Sequence, residues 1–375
     1  MLGLYSKDLE PTSGQPRAVQ NLCRGINARP GNEIHVLSYD DGPESLDEEV
    51  IVEDGITYHF VHMGALRPFM LKYRNARRRM TDKIKSLEPD VIHAHIPLFT
   101  EAFPSLGIPT VMTVHSALDI TGEYFGTFMT REFFRAQFRS SLRSVRHIIA
   151  VSPYVEEMLG SRTDGAFHLI PNPVDIPKIV RRKDKEGRLL NVGTIIPYKN
   201  QLDAIKTVKE LTSDYPDVRL HIAGEVPSSR PKYFRDLTRY VRDNNLEENV
   251  VFRGCLKEEE LMREYDECCA LVHTSRKETA CYAILEAMAY GKATVAAKNT
   301  KSLEYMMDDG KNGLLSDPDP KELAKKMGML LGDRKLRGRI GKTARAKIQK
   351  ENNPLHVAEQ TLSLYRRAID ERCSV

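Results

Sequence analysis

Residues 273–297 read HTSRKETACYAILEAMAYGKATVAA, and two glutamates in this stretch, Glu278 and Glu286, stand eight positions apart around a Thr-Ala-Cys-Tyr turn. The run ILEAMAYG places Ile284, Ala287 and Met288 on one helical stripe and closes on Gly291, a helix stop. Glu278 then precedes a helix and Glu286 lies one to two turns inside it, with eight residues of helical rise covering roughly 12 Å. A carboxylate pair that works on one glycosidic bond through a covalent intermediate stands only about 5 Å apart. The spacing therefore suits two acids that grip different parts of one elongated ligand. Between them the amides of Thr279, Ala280, Cys281 and Tyr282 fall at a helix N-terminus, where N–H groups lacking helical partners attract an anion. A ligand with hydroxyls at both ends and negative charge in its middle has the form of a nucleotide-diphosphate sugar. A helix-start acid complementing the dipole, followed by a solvated surface acid, meets the same spacing. The two glutamates alone leave both readings open.

The rest of the chain must position such a turn. Strand-like runs alternate with amphipathic helical runs along nearly all 375 residues. In the first half the β-branched runs are EIHVLS (33–38), ITYHFVH (56–62), DVIHAH (90–95), PTVMTVH (109–115), HIIAVS (147–152) and AFHLIP (166–171), with MLGLYS (1–6) as a short first strand. Val19, Leu22, Cys23 and Ile26 fall at helical spacing between them, as do Ala76, Met80, Ile84 and Leu87. The second half repeats the rhythm with RLLNVG (188–193), RLHIAG (219–224), NVVFRG (249–254), ALVHTS (270–275) and ATVAA (293–297). This alternation predicts α/β architecture with parallel, doubly wound sheets, which bind ligands beyond the carboxyl ends of their strands. Two domains are expected: residues 1–172, a proline- and charge-rich linker over 173–187, residues 188–352, and a C-terminal helix over 353–375. Gly193, Gly224, Gly254 and Ser275 end second-domain strands, where small residues admit a ligand or another backbone.

Composition narrows the class. Hydrophobic content of 41% and charged content of 29% are those of a globular protein with ordinary cores. No apolar run is long enough for a membrane span, and the first twenty residues lack a signal-peptide pattern, so a cytoplasmic location is expected. Six scattered cysteines without a Cys-x-x-Cys pair indicate reduced thiols and no zinc knuckle. The net charge of +4 calls for no nucleic-acid partner. Charge is nonetheless uneven. Residues 40–54 hold eight acids and no Lys or Arg, and read as an exposed loop or edge. Residues 67–85 hold eight bases against one acid, and residues 131–146 five against one. Basic residues interleaved with an apolar stripe suit an anionic lipid surface, and equally a solvated helix face.

The paired-glutamate segment resembles the donor-site motif of glycosyltransferase family 4, a glutamate, seven residues, then Glu-Ala-Met-Ala-x-Gly, matched by Glu278 and EAMAYG (286–291). PDVIHAH (89–95), IPTVMTVH (108–115), IPNPVD (170–175), NVGTIIPYKN (191–200) and DGKNGLLSDPDPKELAKKM (309–327) resemble further family segments in the family's order. The resemblance implies a GT-B fold of two Rossmann-like domains across a cleft. It implies a hexosyltransferase-type glycosyltransferase that retains anomeric configuration, needs no metal or other cofactor, and takes a nucleotide-diphosphate sugar as donor. The acceptor would be a glycan or lipid-linked saccharide bound by the N-terminal domain, with peripheral membrane association through the basic runs.

By the same resemblance Glu286 holds the ribose, Glu278 contacts the transferred sugar and Lys199 neutralises the departing diphosphate. Residues 279–282 cradle sugar and phosphate, and His115 lines the sugar site. Gly14 and Gly193 approach the phosphates, and Gly254 and Leu256 approach the nucleobase. Three positions depart from the pattern. Thr194 replaces the usual arginine after Val-Gly, with Arg276 or Lys277 as the substitute charge; Ala280-Cys281 replaces Phe-Gly; and a single Gly14 replaces a double glycine. These departures motivate a catalytically weak nucleotide-sugar-binding or membrane-scaffold paralogue as the alternative, and a GT-B epimerase as another. Other features read as structure. His93 and His95 lack a third metal ligand, Asp317 and Asp319 make a turn and helix cap, and Cys268-Cys269 is core.

Overall fold

A strand buried on both faces needs a nearly continuous apolar run, whereas one buried on a single face alternates. The second half of the chain shows the first pattern: in β11 (Ala270–His273) and β12 (Ala293–Ala297) every residue is buried. The computed structural model describes residues 1, 9, 13–40, 48–62, 69–96, 99–115, 128–178, 184–228, 231–298 and 301–373. Residues 2–6 of the expected first strand lie outside them.

The chain divides into two compact units, one comprising residues 1–11, 15–173 and 354–375, the other residues 12–14 and 174–353. In the first unit β1 (Ile34–Asp40) pairs in parallel with β3 (Ile56–His62), which pairs with β2 (Glu49–Glu53) antiparallel. A parallel sheet runs β4 (Ile92–Ala94), β5 (Thr110–Val114), β6 (His147–Ala150) and β7 (Ala166–Leu169) in that order. The acidic segment expected as an exposed loop or edge thus contains an edge strand, whose Val50 and Val52 face solvent. The C-terminal helix Pro354–Cys373 belongs to this unit. Its Val357, Leu364 and Tyr365 join Val19, Leu22 and Ile26 of the helix Gly14–Asn27 in one core.

In the helix Phe69–Leu87, Ala76, Met80 and Ile84 are buried, so the stripe read as a lipid-facing candidate points into the protein. Phe134 and Phe138 of the helix Phe128–Ser144 do the same. Arg74, Arg78, Lys85, Arg139, Arg143 and Arg146 remain exposed. Among the described residues no helix is long and apolar enough to cross a membrane.

The second unit carries one six-stranded, all-parallel sheet in the order β10 (Val250–Gly254), β9 (Arg219–Ala223), β8 (Arg188–Val192), β11, β12, β13 (Leu314–Ser316). The chain builds outward from β8 in one direction, then returns to β8 and builds outward in the other. The strand order therefore reverses between β8 and β11, and doubly wound sheets take ligands beyond the carboxyl ends of their strands at such a switch point. Helices Gln201–Leu211 and Pro320–Gly332 cover the sheet with Ile205, Val208, Leu323 and Met327. Asp319 caps the latter helix, accepting from the Lys321 and Glu322 amides at 2.9 and 3.2 Å, as read from the sequence. The charges at the end of the expected linker are tied to this unit: Asp184 pairs with Lys292 at 2.7 Å, and Glu186 accepts two hydrogen bonds from Nη2 of a buried Arg337, each at 2.8 Å.

Candidate active site

The loop after β8 starts at Gly193, and its first job is to let two strand ends approach. A Cβ on Gly224 would lie 2.0 Å from the Gly193 carbonyl oxygen, so Gly224 admits neighbouring backbone. Gln201, fully buried, donates through Nε2 to the carbonyls of Thr194 (2.9 Å) and Gly193 (3.3 Å) and fixes the loop's return into its helix. A single 3₁₀ turn, Pro197–Lys199, ends at Asn200 in the left-handed conformation (φ 55°), which turns the chain into that helix. The loop after β11 is stitched to the first. Thr274 Oγ1 donates to the Asn200 carbonyl at 2.8 Å, and the Arg276 amide to the Tyr198 carbonyl at 2.7 Å.

This stitching brings Lys199 to Glu278. Nζ donates to Oε1 at 2.7 Å, with the two side chains 22% and 9% exposed. On the same oxygen, at 3.4 Å, stands Nε2 of His273, the last residue of β11. The other ring nitrogen, Nδ1, lies 3.6 Å from Cys281 Sγ. Burial favours the neutral form of the Glu278 carboxyl, but Lys199 and His273 outweigh it and hold its pKa down at about 2. For His273 burial likewise opposes charge, and Cys281 and then Glu278 outweigh it, pushing the pKa up to about 9. Around neutral pH the site is a cation–carboxylate–cation row, half-buried at Lys199 and buried at His273. His273 was not among the residues singled out from the sequence; its signal was a histidine at a strand end five positions before Glu278. Arg276 and Lys277, the expected substitutes for the missing arginine, are exposed, and the buried second cation is His273.

Beyond the turn, the helix Tyr282–Ala289 carries Glu286 one turn in. Its Oε2 accepts from the Tyr265 hydroxyl at 2.7 Å, so this half-buried carboxylate is held, not solvated. Tyr265 was likewise unforeseen. The helix closes as expected at Gly291 (φ 68°). The Gly291 amide bonds the Met288 carbonyl and the Lys292 amide that of Ala287, both at 2.9 Å, a Schellman pair. Of the four amides expected to face an anion, that of Cys281 points at Met306 Sδ, 3.3 Å away, a weak acceptor. Thr279 and Cys281 are buried.

The remaining candidates are spread more widely. Gly254 ends β10 in the left-handed conformation (φ 69°) with open space where a Cβ would be, and Leu256 beside it is half-buried. Thr194 is half-buried in the stitched loop. Gly14 opens the first helix and groups with the second unit. His115 follows β5 in the first unit, where its Nε2 lies 2.9 Å from His95 Nδ1, and burial lowers its pKa to about 4. His93 spends both ring nitrogens on Tyr365 (2.5 Å) and Thr113 (2.6 Å), as a core residue would.

His273, Glu278 and Cys281 offer three potential metal-ligand atoms within 4.8 Å of one another. Lys199 already occupies the carboxylate. The donor set therefore fits an internal ion cluster better than a cation site.

The family profile for glycosyl transferases group 1 matches residues 175–347, and that for glycosyltransferase family 4 matches residues 12–178. An uncharacterized glycosyltransferase of Methanocaldococcus jannaschii is 25% identical over 344 residues, covering 87% of each chain. A GDP-mannose-dependent alpha-mannosyltransferase of Mycobacterium tuberculosis is 25% identical over 285 residues, 72% of this chain and 71% of that one. Among solved structures, a sucrose-phosphate synthase of Thermosynechococcus elongatus superposes with a TM-score of 0.81 over 99% of both chains at 21% identity, which establishes the shared GT-B fold. The two profiles together span residues 12–347, and the chain belongs to glycosyltransferase family 4, as a hexosyltransferase-type enzyme with two Rossmann-like domains.

Proposed function

We propose that the protein transfers a hexose from a nucleotide-diphosphate sugar to a glycan or lipid-linked saccharide, with retention of configuration and without a metal. The observation that carries this reading is the Lys199–Glu278–His273 row at the point where β8 and β11 part. Cleaving the donor's glycosidic bond builds charge on the diphosphate, and a preformed, half-buried cation stabilises that charge without reorganising at the moment of reaction. Lys199 supplies the cation on the β8 side. Glu278 keeps it in place before the donor binds and orients the sugar hydroxyls afterwards. Glu286, steadied by Tyr265, takes the ribose hydroxyls, and residues 279–282 border the phosphates. The acceptor, bound by the first unit, attacks from the face the diphosphate leaves, and a leaving phosphate oxygen takes its proton. No protein nucleophile is then needed, and His115, neutral at pH 7, serves as a hydrogen-bonding wall of the sugar site. The exposed arginines of residues 67–85 and 131–146 would add an electrostatic hold on anionic lipid, with the apolar stripes engaged elsewhere.

The test is a panel of UDP-, GDP- and ADP-sugars, read by the rise in melting temperature that native-state binding produces. Nucleoside diphosphate release is then measured with and without acceptor lipids, in EDTA. Binding of one donor, acceptor-dependent release in EDTA and an α-linked product from an α-linked donor are expected. Tight binding with an intact donor would replace transfer by a binding role, and conversion of the donor without acceptor would make the protein an epimerase.

A further inference from the structure

The row at the donor crevice continues past His273 to a thiol. Cys281 Sγ, His273 Nδ1, His273 Nε2 and Glu278 Oε1 form a chain with spacings of 3.6 Å from sulfur to nitrogen and 3.4 Å from nitrogen to oxygen. The three side chains are 2%, 3% and 9% exposed. Cys281 also stands at the N-cap of the eight-residue helix Tyr282–Ala289, where the positive end of the helix favours a negative sulfur. The other described cysteines lack this setting. Cys23, Cys268 and Cys269 are buried with their thiols pushed up, to about 12 for Cys23 and about 11 for Cys269, and Cys255 is exposed. Among the described residues Cys281 alone faces an imidazole nitrogen whose second nitrogen lies 3.4 Å from a carboxylate oxygen.

We propose that Cys281 is a modification site: a thiol activated by His273 and Glu278 that small peroxides oxidise to a sulfenic acid, closing the donor crevice. In the reactive form, reached when the thiol gives its proton to solvent, the imidazolium Nδ1–H faces the Sγ thiolate. The sulfur attacks one oxygen of hydrogen peroxide, an S–O bond forms and the O–O bond breaks. The departing hydroxide takes the Nδ1 proton and leaves as water. Sulfur loses two electrons, peroxide gains them, and His273 is left neutral. The step therefore adds a polar oxygen beside the residues that border the phosphates and removes the second buried cation. Its consequence for donor binding rests on the function proposed above, while the reactivity of the thiol does not.

The experiment treats the full-length protein with hydrogen peroxide and dimedone, a sulfenic-acid trap, and maps adducts on each cysteine by peptide mass spectrometry. Cys281 is expected to be labelled at least about tenfold faster than the exposed Cys255, with Cys268 and Cys269 inert, because among the described cysteines Cys281 has an imidazole nitrogen against its sulfur. Dithiothreitol should reverse the untrapped oxidation. His273→Gln should slow labelling of Cys281 about tenfold while the melting curve still shows a cooperative transition. Labelling of Cys281 no faster than of Cys255, or equal labelling of Cys268 and Cys269 through global opening, would overturn the proposal. So would a folded His273→Gln that labels at the original rate. If Cys281 labels as expected but no nucleotide sugar raises the melting temperature, the thiol site stands and the donor-site reading falls.

Discussion

His273 gives the site a signature in stability against pH. Its pKa is about 9 in the fold against an ordinary 6.5, so between these values the native state holds a proton that the unfolded chain has lost. Stability must then fall as pH rises, by at most ~1.4 kcal/mol per pH unit. The contribution is fully present below pH 6.5 and is gone above about pH 9. Between pH 6 and pH 8.5 the loss expected from His273 is about 2 kcal/mol. The buried Met1 amine, whose pKa burial lowers from 8.0, adds a rise of opposite sign up to about pH 8. The histidines with lowered pKa values lie below the window. His59, His93, His95, His115 and His168 have lowered pKa values, because burial disfavours their charged forms. They stabilise progressively as pH rises towards 6.5 and add no slope above it. Stopping at pH 8.5 also stays below the ordinary thiol value of 9.0, where buried Cys23, Cys268 and Cys269 would add a fall of the same sign. The chain has no tryptophan, so urea unfolding is followed by far-UV circular dichroism at pH 6, 7, 8 and 8.5. The stability difference between wild type and His273→Gln should shrink by about 2 kcal/mol across this range, because the Met1 contribution is common to both. A difference that stays constant with pH would refute the buried imidazolium.

Four further outcomes follow from the geometry. Lys199→Ala should cut turnover by about 10²-fold or more, the scale for losing one group that stabilises transition-state charge, measured as nucleoside diphosphate release at saturating donor. Tyr265→Phe removes the hydroxyl 2.7 Å from Glu286 and should weaken nucleotide binding several-fold, about 1 kcal/mol, with little effect on turnover; titration calorimetry with the nucleoside diphosphate checks it. Gly224→Ala puts a methyl 2.0 Å from the Gly193 carbonyl and should destabilise by about 1–3 kcal/mol, lowering the melting temperature and the donor-induced shift together. Asp319→Ala removes a cap that accepts two amides and should cost about 1 kcal/mol while leaving the donor-induced shift unchanged.

Local chemistry made most of the fold legible. ATVAA declares itself because burial on both faces favours a nearly unbroken apolar run, and ITYHFVH by its β-branched and aromatic residues. β2 is less plain, because an edge strand keeps charge at its margins and Val50 and Val52 on solvent, which in sequence reads as an exposed loop or edge without saying which. β13 is three residues long, too short to carry a period. The direction of an amphipathic face was also beyond the sequence. Ala76, Met80 and Ile84 mark one stripe of a helix, and only the neighbours that cover them show it to be core. The order of the strands is non-local in the same way. That β8 pairs with β11, more than 75 residues later, determines where the two loops part, and no window of sequence contains both. Glu278 and Lys199 could each be picked from motif positions, but the ion pair between them is a product of that strand pairing. His273 shows the limit most clearly. A lone histidine at a strand end is usually a hydrogen-bonded core residue, and nothing in ALVHTS separates the two cases. It acquires a charge only because the turn after β11 folds Glu278 back onto one ring nitrogen and Cys281 onto the other. A buried charge persists only when its partners are placed by the same fold that buries it. The crevice, the row of charges and the turn must therefore form together, and a lesion that loosens the turn should discharge His273 before it unfolds the sheet.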